Sequence, residues 1–286
     1  MYKRQQGLGL ADEAARIAAQ RDEFRADLLA SVDATARRWK LDVLAGAADR
    51  GDFDPTSSTI ALTPGGLFGS RAGAVLPEAL VRNTFERYWR SFVQRRADDA
   101  AGIRHGDGAY TPYEWRTVGS LVRLGQRERA LEALRYFFAD RRPAGWRQWP
   151  EVVLRKEREP RFLGDMPHGW VASDQIRSVL DLFAYEHEGE RSLVLAAGVP
   201  MAWLQGEGAA IERLRTPYGA LSWRARAAGG AIEFEVQALR ELPPGGLWLR
   251  GPWPASARVW IDGAPVSGSA ESIRVPRTPV RVRIEP

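Results

Sequence analysis

Apolar positions recur at helical spacing through the first two thirds of the chain and then switch to strict alternation. The spacing predicts a first helix from about Ala11 to Leu44, with Phe24, Leu28, Leu29, Val32, Ala36 and Trp39 along one side. A second runs roughly from Pro77 to Ala97, opened by a proline in its first turn. Val81, Phe85, Tyr88, Trp89 and Phe92 form its apolar stripe, wide enough to be buried against two neighbours.

Thr111-Pro112-Tyr113-Glu114 is a capping-box pattern with proline at the first helical position. The helix it starts carries Trp115, Val118, Leu121 and Val122 and closes at Gly125. A short turn at Gly125-Gln126 leads into another helix, with Ala130, Leu131, Leu134, Phe137 and Phe138, that ends near Asp140 and makes an antiparallel hairpin with the one before. A last helix is predicted from about Val171 to Tyr185, burying Ile176, Val179, Leu180 and Phe183.

From about Ser192 the period changes. Leu221, Trp223 and Ala225 alternate with Ser222, Arg224 and Arg226; Ile232, Phe234 and Val236 with Glu233, Glu235 and Gln237; Val280, Val282 and Ile284 with Arg281, Arg283 and Glu285. These are antiparallel strands with one wet face, and Ala228-Gly229-Gly230 and Asp262-Gly263 supply hairpin turns. The chain therefore reads as mixed α then β: a helical domain over 1–190 and a small antiparallel β-sandwich over 191–286.

Connections between helices alternate long and short, so in an antiparallel array the long ones fall at one end. That end collects Gly51-Asp-Phe-Asp-Pro-Thr (51–56), Asp107-Gly-Ala-Tyr-Thr-Pro-Tyr-Glu (107–114), and two segments bracketing a charged insert, Gly-Trp-Arg-Gln-Trp-Pro-Glu (145–151) and Gly-Asp-Met-Pro-His-Gly-Trp (164–170). Long loops between packed helices are uncommon unless they have a task, and Trp beside a carboxylate supplies a stacking face and an acid–base group together. The chain holds 11 Trp, several of them beside Gly and Pro, where packing is the weaker explanation. The stretch from Trp146 to Trp170 reads as the floor of a sugar-binding cleft.

Composition narrows the alternatives. Apolar content of 44% with 10% aromatics excludes disorder. The net charge of +5 is carried almost wholly by Arg, dispersed and interleaved with Asp and Glu, which argues against a nucleic-acid footprint; membrane attachment has no better support. With no Cys there are no disulfides or thiolate metal sites, and nothing calls for a cofactor. The first residues lack the apolar core of a signal peptide. The compartment stays open: cytoplasmic if the chain is complete, periplasmic or extracellular if a signal lies upstream.

The order of these parts resembles the C-terminal half of six-hairpin (α/α)6 glycoside hydrolases, closest to the α-L-rhamnosidase-like group with its trailing β-sandwich. Trp146-Arg-Gln-Trp-Pro-Glu151 resembles that group's Trp-Glu loop, and Asp165-Met-Pro-His168-Gly-Trp170 with the helix after it is similar to its substrate loop and inner helix. Arg215-Thr-Pro-Tyr-Gly-Ala-Leu-Ser-Trp223 is similar to the opening of its β domain. The resemblance implies a toroid of twelve helices, of which periodicity yields about six. It places a catalytic base at Glu151 and the acid in a half this chain lacks, unless Asp52, Asp54 or Asp165 takes that role. Half a toroid would expose the inner faces of its helices, so the implied partners are a carbohydrate and either the other half or a second copy.

Inverting glycosidases need an acid to protonate the leaving oxygen and a base to activate water, roughly 6.5–9.5 Å apart. Glu151 is the first choice for the base, against the alternative of an exposed loop carboxylate. Glu114 ranks below it because the capping pattern already accounts for it. Asp54 in Asp54-Pro55-Thr56 has a similar helix-capping alternative, leaving Asp52 the freer group. Asp165 and His168 fall short of a metal site and read better as hydrogen-bonding groups for sugar hydroxyls, with Arg116 nearby. Trp146, Trp149, Trp170 and Tyr113 would stack on pyranose faces, or else pack the loops down. A helical scaffold for a protein partner, suggested by the tetratricopeptide-like Leu124–Leu134 segment, and a non-catalytic sugar-binding module are the competing functions.

Overall fold

A computed structural model of the chain describes residues 8–60, 76–103, 110–154, 162–187 and 189–286. Asp107 and most of the charged insert of the long loop lie outside these. Five α-helices precede ten strands in the described residues: α1 (Ala11–Trp39), α2 (Glu78–Ala100), α3 (Trp115–Arg123), α4 (Arg127–Ala139) and α5 (Gly169–Phe183).

The centre of the helical part is α3, whose residues from Trp115 to Val122 are all buried. Its start is built as the capping pattern dictates: a short 3-10 turn, Pro112–Glu114, precedes it, and the Glu114 carboxylate accepts the Thr111 amide at 3.0 Å. Against α3 pack the apolar stripe of α2 and the inner face of α4, with Phe92, Tyr110, Trp115 and Phe137 forming an aromatic cluster of tilted and edge-on rings. The α2 helix runs antiparallel to α3, because Arg95 near its end reaches Glu114 at the start of α3, while Glu86 lies beside Gln126 past the end of α3.

The helix α5 lies beside α3 in a way the hydrophobic pattern does not anticipate. Arg116 pairs with Asp174 and Arg123 with Asp181, the same step along both helices, so α3 and α5 run parallel. The Ser178 hydroxyl donates to the Trp115 carbonyl at 2.8 Å between them. The buried face of α5 is thus Val171, Ser178, Asp181 and Leu182, and Ile176, expected inside, is 57% exposed. A polar, ion-paired seam runs beside the apolar contacts that Val179 and Phe183 keep with the core, and burial holds the Asp174 and Asp181 carboxyls above their ordinary range despite the arginine beside each.

The first helix, α1, ends at Trp39 rather than Leu44, with Lys40 in a left-handed cap (φ 53°). Val43 and Leu44 are buried from the following loop, where the Leu44 amide donates to Thr84 of α2 at 2.8 Å. Only Ala14 and Thr35 of α1 are fully buried and Phe24 is 71% exposed, so its predicted stripe is met by the core only near Val32.

The β part begins earlier than its alternation suggests. The last helix stops at Phe183, and β1 (Ala184–His187) leaves it directly to pair with β2 (Ser192–Leu195). With β6 (Leu247–Leu249) and β9 (Ile273–Val275) these make a four-stranded sheet in the order β1-β2-β6-β9, in which β2 and β6 are parallel; the β module is therefore mixed, not purely antiparallel. The other sheet has six strands, β3 (Ala209–Thr216), β4 (Gly219–Ala228), β5 (Ala231–Val236), β10 (Val280–Glu285), β7 (Arg258–Ile261) and β8 (Ala264–Val266), in that order. The alternating residues read from the sequence face inward, and the two sheets share one core, with Leu195, Leu247 and Ile273 on one side and Trp223, Phe234 and Val282 on the other. Both hairpin turns sit where Gly229-Gly230 and Asp262-Gly263 supply positive φ.

Helical and β parts are joined tightly at the end of α5. The Gly198 amide donates to the Leu182 carbonyl at 3.0 Å, and a Cβ at 198 would lie 2.7 Å from the Leu182 Cα. Gly198→Ala should therefore push the β part off α5 and destabilise the protein by about 1–3 kcal/mol, read as a lowered urea midpoint.

Candidate functional site

The segments 145–154 and 162–168 fold back on each other as a short antiparallel ribbon bridged at Val153 and Leu163. The Glu151 amide donates to the Asp165 carbonyl at 2.9 Å, so the two carboxylate-bearing residues lie across the ribbon from one another. Gly164 leaves room between them, since a Cβ there would come within 3.3 Å of the Glu151 Cβ and 3.1 Å of the Val152 nitrogen. The base of the ribbon is pinned by Trp149, 4% exposed, packed edge-on against Trp115 at 5.1 Å, with its carbonyl accepting the His168 amide at 2.9 Å.

Above this floor, at the N-terminal ends of α3 and α5, three side chains converge. The Tyr113 hydroxyl donates to Glu151 Oε1 at 3.2 Å and stands 3.5 Å from His168 Nε2, with the two rings edge-on at 5.5 Å. His168 caps α5, its Nδ1 accepting the Val171 amide at 3.4 Å, which in the neutral ring leaves the proton on Nε2, facing Tyr113. Burial, then the charge of Glu151 and the hydrogen bond to it, raise the Tyr113 phenol above its ordinary value. The hydroxyl therefore stays a donor to the carboxylate. Arg116 is buried, paired with Asp174 at 2.8 Å, and stacks its guanidinium on the Tyr113 ring at 5.1 Å. It positions Tyr113 and does not reach outward to a ligand.

Trp170 extends from the first turn of α5, 75% exposed and edge-on to His168 at 6.0 Å; Trp146 is 58% exposed on the same long loop. From Gly169 a groove of about 560 Å³ runs along the outer face of α5, between Ala172, Ile176 and Arg177 on the helix and Leu214, Arg215 and Thr216 of the edge strand β3. It opens next to the cluster without including Glu151.

Of the residues expected in the cleft, Tyr113, Glu151, Asp165, His168 and Trp170 are gathered at one place. Arg116 supports them from beneath the Tyr113 ring and Trp146 stands exposed on the same loop, whereas Trp149, Glu114, Asp52 and Asp54 are taken elsewhere, each for a visible reason. Trp149 is the buried anchor of the ribbon, with no face left for a sugar. Glu114 is fully buried, its carboxylate held by Arg95 at 2.7 and 2.9 Å and by the Tyr88 hydroxyl at 2.8 Å, so it is a structural charge. Asp52 accepts the Ala47 amide at 3.0 Å, and Asp54 accepts Thr56 at 2.9 Å through the amide and at 2.5 Å through the hydroxyl. Burial works against the Asp54 charge, but its hydrogen bonds from Thr56 and Ser57 outweigh it and hold the carboxyl below its ordinary value. Both aspartates tie their own loop, which hangs on the N-terminal half of α2 through Thr84 and Arg87. Among the described residues no three His, Asp or Glu side chains converge as a metal site, and no helix is long and apolar enough to cross a membrane.

The aid that the capping histidine gives to Tyr113 was missed by sequence reasoning, although His168-Gly-Trp-Val171 does carry the spacing of a helix start. No protein-family model matches the chain, and no curated protein sequence matches it.

Proposed function

We propose that the protein acts on oligo- or polysaccharide glycans as a glycoside hydrolase of the six-hairpin kind. The observation that carries the reading is the Tyr113–Glu151–His168 cluster beside the exposed Trp170. In this reading α3 and α5 are neighbouring inner helices of an (α/α)6-like arc, with α2 and α4 outside them.

Glu151, which accepts the Tyr113 hydroxyl, takes a proton from water as the water attacks the anomeric carbon. Asp165, exposed across the ribbon, is the carboxyl available to protonate the departing glycosidic oxygen. The indole of Trp170 supplies a flat apolar face for a pyranose ring, and the groove along α5 leaves room for further sugar units.

A non-catalytic sugar-binding module is the second reading. It is favoured by the loss of Glu114, Asp52 and Asp54 to structural roles, which leaves Asp165 as the one remaining acid proposed.

The two readings are separated by incubating the chain with a panel of polysaccharides and measuring both retained protein and released reducing ends. Hydrolysis supports the enzyme, and retention without release supports the module. In either case Trp170→Ala should weaken retention about tenfold, the equivalent of ~1.4 kcal/mol of ring stacking. Unchanged retention would remove Trp170 from the site, and no retention on any glycan would count against both readings.

A further inference from the structure

A second cavity, of about 570 Å³, lies where the helical part meets the β part, well away from the Trp146–Trp170 loop. Its walls come from the start of α2, the turn between α3 and α4, Tyr185 of β1, the loop after β6 and the residues just before β9. Four arginines line it, Arg82, Arg123, Arg127 and Arg250, against a single acidic residue, Glu271.

Two of these are committed elsewhere. Arg82 pairs with Glu78 at 2.8 Å, and Arg123 with Asp181 at 2.9 Å and with the Glu186 carbonyl at 2.8 Å. The other two have no carboxylate partner among the described residues. Arg127 donates its Nε to the Ala197 carbonyl at 2.9 Å, and Arg250 bonds two neutral groups, the Ser272 hydroxyl at 3.1 Å through its Nε and the Tyr185 phenol. Two guanidinium groups with only neutral hydrogen-bond partners therefore line the space.

We infer that this junction cavity binds a small-molecule oxyanion, a phosphate ester or a carboxylate, clamped between Arg127 and Arg250. Guanidinium forks match such groups with paired, charge-assisted hydrogen bonds, and the volume is that of an ordinary small-molecule site. Burial, only partly offset by the charge of Glu128, holds the Arg127 guanidinium below its ordinary value, and a bound oxyanion would offset it further. The buried Tyr185 phenol and the Ser272 hydroxyl add neutral polar groups to the lining. None of its residues belongs to the Glu151 cluster, and it shares only Arg123 and Tyr185 with the groove along α5, so the binding of an oxyanion here does not depend on the glycan reading.

The test is calorimetric titration of the full chain with inorganic phosphate, glucose 6-phosphate and glucuronate, each against sodium chloride of equal ionic strength. Saturable binding at millimolar or lower concentration is expected, and the ligand giving it tells phosphate ester from carboxylate. Arg250 is exposed, so Arg250→Gln should fold and weaken binding at least tenfold; Arg127→Gln/Arg250→Gln should abolish it. No saturable heat with any of the three ligands would overturn the inference, as would unchanged affinity in Arg250→Gln.

Discussion

Replacing Arg95 with alanine is expected to cost about 3–5 kcal/mol of stability, the range found when one partner of a buried ion pair is removed. Glu114 has no exposed surface at all, and its partner Arg95 is 16% exposed. Stripped of the guanidinium, the carboxylate would keep the Tyr88 hydroxyl and the Thr111 amide, two hydrogen bonds but no opposite charge. The same neighbourhood shows how strongly charge is felt there. Burial and then the nearness of Glu114 drive the Tyr88 phenol well above its ordinary value; burial also opposes the Arg95 charge, but the hydrogen bond to Glu114 and the Glu114 charge together outweigh it and raise the Arg95 guanidinium. A loss of this size is a large fraction of the 5–15 kcal/mol that holds a typical domain together. Glu114→Gln in the Arg95→Ala background should recover much of it, because the amide removes the stranded charge. Urea unfolding followed by circular dichroism measures both. If Arg95→Ala were neutral, Glu114 would not be the structural charge described and would return as a candidate for chemistry.

That pair also shows what the sequence could and could not disclose. The cap was legible, since Thr111 to Glu114 is a local pattern with a local meaning. Arg95 was not, because it arrives from the previous helix and no spacing rule joins the two. The helices α2, α3 and α4 were readable for the same reason as the cap: each carries an apolar stripe, and α3 and α4 are separated by a turn at Gly125 with φ 76°. The alternating strands β4, β5 and β10 were readable because each has one wet face. Ala184-Tyr-Glu-His187 has neither stripe nor alternation, and it continued the helical pattern until pairing with β2 claimed it. The parallel partnership of β2 with β6 is a long-range choice that leaves no local trace.

The candidate site divides along similar lines. Composition marked the loop from 145 to 170 correctly as the place where aromatic and acidic groups gather, but it could not rank three tryptophans of similar context. Trp149 is buried and Trp146 and Trp170 are exposed because the ribbon turns one indole down onto Trp115, a contact set by tertiary packing. The face of α5 was misjudged because a helix seam built from Arg116–Asp174, Arg123–Asp181 and Ser178 looks from the sequence like a solvated surface. The arginines of the junction cavity come from α2, the end of α3, the start of α4 and the loop after β6, and only folding collects them.

The second large effect concerns Glu151. As the proposed base, it should contribute about 10²–10⁴-fold to turnover, so Glu151→Gln is expected to lower kcat by about that factor. The substitution is nearly isosteric, and the amide oxygen can still accept the Tyr113 hydroxyl, so the ribbon and the stacking face of Trp170 should be undisturbed. Tyr113→Phe, which removes the hydroxyl shared with Glu151 and His168, should produce a smaller loss in kcat with little change in KM, since it leaves the ring and the Arg116 stack in place. The most direct measurement is the rate of reducing-end release from the best glycan of the panel by the wild-type chain and by Glu151→Gln, with retention on that glycan measured in parallel. The account predicts at least a hundredfold slower release with retention unchanged; release by Glu151→Gln at the wild-type rate would contradict it.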